Sequence, residues 1–517
     1  MPNTEGTEGT EGFTPPSALL RHLDGIVEMT VLDATWFRVA CELLRFAAAN
    51  MPSGSSREGL APGQPEATLV VASSVAKAAF SSIRTVGSGA VDSGEIKLSH
   101  ASKEDRERLR TIGGGLLTLL ADEPFNVAMK ETTVALGLAE ALDELTSHTF
   151  MSWFKGEGEL SVTAGTVYPI HGHDPSGWLG KNPLNTEPGK FPRRWFASTA
   201  HLQVATGDAA EYSYVLDFDC WDVLSDFGVE VSDGEENISY LQFVAAVGQT
   251  NANLDEFNIE LSEAPPFVYR NRGPLNDDAH AQLVGNLIAS ARKAQVLVLP
   301  EYCLTGTSRD LVIEALSKEG KVPRLVISGV SSGADEDGYI VNEAVMIIAT
   351  AAGHVSRVIT LPQKIHPAEI EPFKEYIKQG SEVRVFISER WTIATLICFD
   401  AMTKSIIGQL AQFGVNLLLV PALSPKSAAL VGSATSLCTT SQAFVVIATG
   451  PARFEHSNGI TSRPELRSEA VFGGPYGSGD VTRKASSAPG AAPAERVNLW
   501  MFNYTQRRLT SHAVHNS

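Results

Sequence analysis

Val296-Leu297-Val298-Leu299-Pro300-Glu301-Tyr302 decides the fold class of the C-terminal half of this chain. Its four leading apolar residues do not alternate with polar ones, so a strand made from them is covered on both faces, as in the sheets of α/β proteins. Working outward, similar runs occur at Phe243–Val247, Leu325–Val330, Val345–Ala349, Ile393–Ile397, Leu417–Val420 and Phe444–Ala448. Between some of them lie helical periodicities at Ala279–Lys293, Asp310–Lys318 and Lys404–Phe413. The pattern predicts an α/β domain over residues 239–517, built as a sandwich of sheets with helices outside. The run also ends on a carboxylate: Glu301, just behind Val-Leu-Val-Leu-Pro, is partly desolvated and needs a partner or a task.

Two more chemically active side chains stand at the ends of such runs. Lys364 follows Val358–Pro362, and Cys398 follows Thr392–Ile397. Ligands of layered α/β folds bind at strand ends, which makes the three together a site hypothesis. Taken singly, Cys398 reads as a small core residue and Lys364 as a surface residue.

The surrounding residues resemble the nitrilase, or carbon–nitrogen hydrolase, superfamily. Leu299-Pro300-Glu301-Tyr302 with Thr305-Gly306 is similar to its glutamate motif, Gln363-Lys364-Ile365-His366 to its lysine motif, and Leu396-Ile397-Cys398-Phe399-Asp400 to its cysteine motif. Phe243–Gln249 resembles the first strand of that fold, and Leu410–Pro421 the helix and strand after the nucleophile. The resemblance spans roughly residues 241–475 and implies an α-β-β-α sandwich. It also implies a thiol-dependent hydrolase that cleaves an amide or ureido carbon–nitrogen bond through a thioester. In that chemistry Cys398 attacks, Glu301 takes and returns protons, and Lys364 with the Phe399 amide stabilises the oxyanion. A second glutamate is implied beyond the lysine; Glu371 is chosen here, with Glu369 and Glu375 as competitors.

Departures from the family pattern shape the expectation. The chain continues Asp400-Ala401-Met402-Thr403-Lys404 where the family usually carries an Arg and a Pro-Glu pair, and Leu423–Gly432 lacks the tryptophan often found there. Phe399-Asp400 points to amide or carbamoyl substrates rather than nitriles. Two alternatives use the same residues: a catalytically inactive nitrilase-like domain that binds a ligand or regulates the N-terminal half, and an acyltransferase in which an amine replaces water. The chemistry requires neither metal nor organic cofactor. The resemblance further implies a small-molecule amide or ureide substrate and a homo-oligomer.

The N-terminal half has a different character. Residues 1–240 carry 34 acids and 17 bases, and residues 241–517 carry 25 and 24, so the net charge of -18 resides almost wholly in the first part. Such acidity disfavours direct nucleic-acid binding and suits solubility. The repeat Thr4–Gly12 predicts a disordered tail over 1–16. Helical spacing around Trp36–Ala47, Leu69–Val86 and Asp105–Ser152 predicts a mostly helical domain over 17–152. Residues 153–238 read as an acidic segment of strands and loops: Asp208–Glu236 holds ten acids and no Lys or Arg, a composition that suits a linker, with the main boundary near 238. No apolar run approaches the ~20 residues of a membrane helix and Met1–Gly12 has no signal-peptide pattern, which predicts a cytoplasmic protein with no membrane partner.

Other motifs carry less. The five cysteines, Cys41, Cys220, Cys303, Cys398 and Cys438, are odd in number and never spaced as CxxC, so neither disulfides nor a zinc ribbon is expected. Cys303, two residues beyond Glu301, is read as a buried thiol. His171 and His173 have metal-like spacing and no recognisable third ligand. Asp217-x-Asp219 could hold magnesium but arises easily in so acidic a stretch. Gly113-Gly114-Gly115 is no P-loop and is expected to interrupt or join helices.

Overall fold

The computed structural model describes residues 17–30, 35–50, 101–122, 127–155, 158–170, 202–205, 211–225, 229–233, 238–251, 253–318, 322–370, 372–388, 391–424, 427–441, 443–450, 469–475, 482–486 and 498–514. The expected disordered tail, the helix at 69–86 and the histidines at 171 and 173 lie outside these. The chain divides into two compact units. One comprises 1–153, 164–169 and 194–207; the other comprises 154–163, 170–193 and 208–517.

Helices dominate the described part of the first unit. Ala18–Val27, Trp36–Ala49 and Lys103–Leu119 each begin behind a hydroxyl cap: Ser17 accepts from the Leu20 amide, Thr35 from Arg38 and Ser102 from Asp105. The glycine triplet does not break its helix. Lys103–Leu119 runs through it, because Gly113 lies where a Cβ would stand 2.7 Å from Leu23 Cδ1, so the glycine allows close helix packing. The buried Arg106 donates to the Ile26 and Met29 carbonyls, tying its helix to the end of Ala18–Val27. A further helix starts at Val127, and two short strands, Val167–Pro169 and Leu202–Val204, pair antiparallel.

Two large sheets form the second unit. In one, the strands run in the order Glu159–Val162, Ser213–Asp217, Glu382–Ile387, Thr392–Thr395, Leu417–Pro421, Phe444–Ala448, Glu469–Gly473 and Thr482–Ser486. In the other the order is Val355–Thr360, Ile340–Ala349, Leu325–Ala334, Val296–Val298, Val244–Gly248, Leu499–Asn503 and Arg508–His512. Val296–Val298 is parallel to both its neighbours and faces strands Leu417–Pro421 and Phe444–Ala448 of the other sheet, which is why all three of its residues are buried. Helices Asp277–Ser290 and Gly306–Lys318 cover the outer face through Val284, Leu287, Ile288, Val312 and Leu316. Helix Ser427–Thr440 packs on Phe444–Ala448 and Glu469–Gly473 and against helix Lys404–Gln412. The unit is α/β, layered helix, sheet, sheet, helix. A smaller sheet, Glu369–Ile370, Phe373–Glu375, Val268–Pro274 and Phe257–Leu261, packs through Val268–Pro274 against Leu325–Ala334.

The boundary expected near 238 is corrected here. Glu159–Val162 and Ser213–Asp217 extend the first sheet beyond Glu382–Ile387, with Ser213–Asp217 parallel to it. One of the acids that suggested a linker, Asp217, has a partner in Arg384, whose guanidinium also meets Glu159 and Glu382. Asp217 accepts from Arg384 at 2.9 Å and from the Asp219 amide at 3.0 Å, so its carboxylate is committed to the fold rather than poised for a cation.

Candidate active site

Each candidate residue sits where a strand of the sandwich ends. Glu301 lies three residues after Val296–Val298, in a tight turn whose next residue, Tyr302, adopts φ 57°. Gly329 lies against that turn: a Cβ there would be 2.5 Å from Glu301 Cα and 2.8 Å from the Tyr302 nitrogen. Lys364 is held as its amide donates to the Asn342 carbonyl and its own carbonyl accepts from Gly380. A Cβ at Gly380 would stand 2.1 Å from the Gln363 carbonyl oxygen, so only glycine passes there. Cys398 opens a short 3-10 turn, Cys398–Met402, with φ 49°, a sparsely populated backbone region for a side-chain-bearing residue.

Two of these side chains, Glu301 and Lys364, are brought together with a third, Glu375. The Lys364 ammonium is 1% exposed and donates to Glu301 Oε1 at 2.7 Å and to Glu375 Oε2 at 2.6 Å. Asn342, fully buried, donates from Nδ2 to both carboxylates, at 2.8 Å to Glu301 and 3.2 Å to Glu375. Glu375 also accepts from the Tyr302 hydroxyl and the Ala368 amide. Glu301 Oε2 accepts from the Leu423 amide at 2.9 Å. Burial would drive the ammonium toward neutrality, but the Glu301 and Glu375 carboxylates outweigh it and raise the Lys364 pKa well above its ordinary value. The lysine is therefore a fixed charge.

Cys398 is 2% exposed and lies in the field of the same group. Burial first, then the Glu301 carboxylate, push its thiol well above the usual range, while Lys364 and a hydrogen bond from the Leu423 amide pull the other way. The resting sulfur is a neutral thiol. Beside it, Asp400 is buried and accepts from the Ile365 and His366 amides at 3.0 and 2.8 Å and from His366 Nδ1 at 2.8 Å, which fastens the lysine segment to the nucleophile turn. The other ring nitrogen of His366 is 3.0 Å from the Tyr212 hydroxyl. Phe399, whose amide was assigned to the oxyanion, carries a 42% exposed side chain at the start of this turn.

Glu371 lies outside the described residues. Of its competitors, Glu369 is exposed and Glu375 is the carboxylate that meets Lys364. Asn342 and Tyr302 were not singled out from sequence. The signal for Tyr302 was adjacency to Glu301; for Asn342, which reaches Glu301 from 41 residues away, it exists only in the pairing of Ser331 with Asn342 across two strands. Cys303 is buried elsewhere, with Sγ 3.5 Å from Thr250 Oγ1 and 3.9 Å from His280 Nε2. Among the described residues no cluster of three or more His, Cys, Asp or Glu could hold a metal ion, and no helix is long and apolar enough to cross a membrane.

No family model matches the chain, and no curated protein does. Among solved structures, the glutamine-dependent NAD+ synthetase from Acinetobacter baumannii is similar over 53% of this chain and 48% of its own, at 16% identity and a TM-score of 0.35. The chain thus spans about half the length of that enzyme. An amidase from Nesterenkonia sp. is similar over 52% of this chain and 93% of its own, at 16% identity and a TM-score of 0.35. A variant of the Nesterenkonia AN1 amidase from the nitrilase superfamily covers 52% and 94% at the same identity and TM-score. Each of these similarities covers about half of this chain.

Proposed function

We propose that the second unit is a nitrilase-like thiol hydrolase that cleaves an amide or ureido carbon–nitrogen bond. The observation that carries this reading is the distribution of donors over two buried carboxylates. Glu375 accepts from Tyr302, Asn342, Lys364 and the Ala368 amide, which fills the roughly four lone-pair positions of a carboxylate. Glu301 accepts from Lys364, Asn342 and the Leu423 amide among the described residues, so Oε2 keeps room for a proton. Glu375 holds the lysine; Glu301 is the base.

The steps follow from that division. The Cys398 proton passes to Glu301 Oε2 as sulfur bonds to the substrate carbonyl carbon, and the carbonyl electron pair moves to oxygen. Lys364 and the Phe399 amide face that oxyanion in a water-poor site. Collapse breaks the carbon–nitrogen bond, the amine leaves with the proton from Glu301, and a thioester remains. Water then gives a proton to Glu301 and its oxygen to the acyl carbon; the thiol is restored as the acid departs. A neutral resting thiol suits this sequence, because sulfur needs to lose its proton only when it attacks.

Purified protein is offered a panel of small amides and ureides while ammonia or amine release is followed, and the acyl adduct is sought by mass spectrometry on the Cys398 peptide. Release that disappears in Cys398→Ala, with an adduct in the parent, is expected. Undiminished release in Cys398→Ala would sink the proposal.

A further inference from the structure

We infer that Tyr212 is a positioning residue of this site: its hydroxyl holds the His366 ring against Asp400, and Asp400 steadies the turn that begins at Cys398. This rests on the function proposed above and adds to it a support from outside the stretch that carries the glutamate, lysine and cysteine motifs.

Tyr212 stands at the head of Ser213–Asp217, the strand that runs parallel to Glu382–Ile387. The Ser213 amide donates to the Ser381 carbonyl at 2.8 Å, so the backbone beside Tyr212 is already fixed by the sheet. Two contacts on either side of it reach the helix Lys404–Gln412, which follows the nucleophile turn directly. Ser405 Oγ donates to Glu211 Oε2 at 3.3 Å, and the Tyr214 ring packs edge-on against Phe413, the residue that ends the helix, with centroids 5.3 Å apart.

The Tyr212 hydroxyl reaches closer to the chemistry. It lies 3.0 Å from His366 Nε2, with the two rings edge to face at 5.5 Å. His366 Nδ1 faces Asp400 Oδ1 at 2.8 Å and Thr403 Oγ1 at 3.4 Å. Both Asp400 oxygens already accept from amides, those of Ile365 and His366, so Nδ1 is the nitrogen that carries the hydrogen. In a neutral ring Nε2 is then an acceptor, and the phenol is the donor that suits it. The order is Tyr212 O–H to Nε2, then Nδ1–H to Asp400. Asp400 lies inside the turn Cys398–Met402, whose first residue keeps a φ of 49° that only its surroundings can hold. An imidazole pinned at both nitrogens cannot rotate away from Asp400, and the turn keeps its tie to the lysine segment.

The test is a double-mutant cycle on kcat and KM for an amide that the full chain turns over. Tyr212→Phe removes the phenol's donor and keeps its ring. His366→Asn places an amide nitrogen where Nδ1 stands, so Asp400 keeps a donor while nothing reaches Tyr212. Each should lower kcat about fivefold, the scale of one neutral hydrogen bond, and leave KM unchanged, since the loss is one of nucleophile alignment rather than of substrate binding. The double variant should fall no further than either alone. Tyr214→Phe, two residues along the same strand, is the control and should keep the parental kcat. Additive losses, an unchanged kcat in Tyr212→Phe, or an equal loss in Tyr214→Phe overturn the inference. Should Tyr212→Phe fail to fold, 15N spectra of the histidine-labelled parent decide, with the His366 signals assigned by their loss in His366→Asn. The neutral ring should carry its proton on Nδ1, and a proton on Nε2 overturns the inference. A parent that turns over no amide overturns the proposed function together with this inference, whereas an active parent whose kcat is untouched by Tyr212→Phe overturns only the latter.

Discussion

Cys398 and Cys303 are both buried, both polar-contacted and both close in sequence or space to Glu301, yet their surroundings differ in one decisive respect. Burial pushes the Cys303 thiol up to about 11 and the His280 imidazole, 3.9 Å away, down to about 4. A proton moving from that thiol to that ring would climb about seven decades in equilibrium, from about 11 to about 4, inside a core of Val284, Leu299 and Leu304. Proton loss from Cys398 is also uphill at rest, but the Lys364 ammonium, fixed between two carboxylates, acts on that thiol in the opposite sense and on the proposed function would meet the negative charge that attack creates. Burial silences a thiol; a compensating cation makes a buried thiol usable.

The largest expected effect breaks this comparison outright. Cys398→Ala should lower turnover of a cleaved amide by at least about 10³-fold, the scale of losing a covalent nucleophile, whereas Cys303→Ala should stay within a few-fold. Steady-state rates of the two variants decide it, and a reversal of their order would transfer the nucleophile to Cys303. Next comes the cation. Lys364→Met leaves two buried carboxylates without the cation they share, and breaking a buried pair in this way costs about 3–5 kcal/mol. Urea unfolding should show that loss along with inactivity. A fully stable Lys364→Met would mean that the lysine's two ion pairs do not support the fold.

The same contrast explains what was legible in the sequence. Glu301, Lys364 and Cys398 could be found because each follows an apolar run whose burial on both faces is itself a sequence signal. Glu375 could not be chosen over Glu369 and Glu371, since three acids within seven residues look alike until Phe373–Glu375 pairs with Val268–Pro274 and leaves Glu375 buried while Glu369 stays exposed. Asn342 depends on strand register, which no local pattern records. The sheet extension by Glu159–Val162 and Ser213–Asp217 was hidden by charge: acids counted along the chain suggested a linker, and the partner of one of them, Asp217, is Arg384, 167 residues away. The α/β layering was read from the strand runs, but the C-terminal strand Leu499–Asn503, which pairs with Val244–Gly248, was not.

A third prediction sharpens the Cys303 side through acid. His280 has its pKa lowered to about 4 by burial, while in the unfolded chain it titrates near 6.5. Above that value both states are neutral and the residue contributes nothing to pH dependence. As pH falls from 6.5 toward 4 only the unfolded chain takes the proton, so folding stability drops, by about 3 kcal/mol in all. Urea midpoints at pH 7 and pH 4 should therefore fall further apart in the parent than in His280→Gln. Parallel behaviour of the two proteins would show that His280 carries its proton in the fold, and the reading of Cys303 as an inert thiol beside a neutral ring would go with it.

The smallest effect tests whether Glu375 is saturated in the way that leaves Glu301 as the base. Tyr302→Phe removes one donor from Glu375 and leaves Lys364, Asn342 and the Ala368 amide in place. Burial and the neighbouring Glu375 carboxylate raise the Tyr302 pKa well above its ordinary value, so in the parent it is a phenol that donates, and its loss should cost about 1.5 kcal/mol of stability. Turnover should change less than in any variant of Glu301, because the freed lone pair belongs to the carboxylate that does not move protons. If instead Tyr302→Phe altered the pH dependence of turnover as strongly as Glu301→Gln, the two carboxylates would share the base's role, and the division of labour drawn from their donor counts would fail.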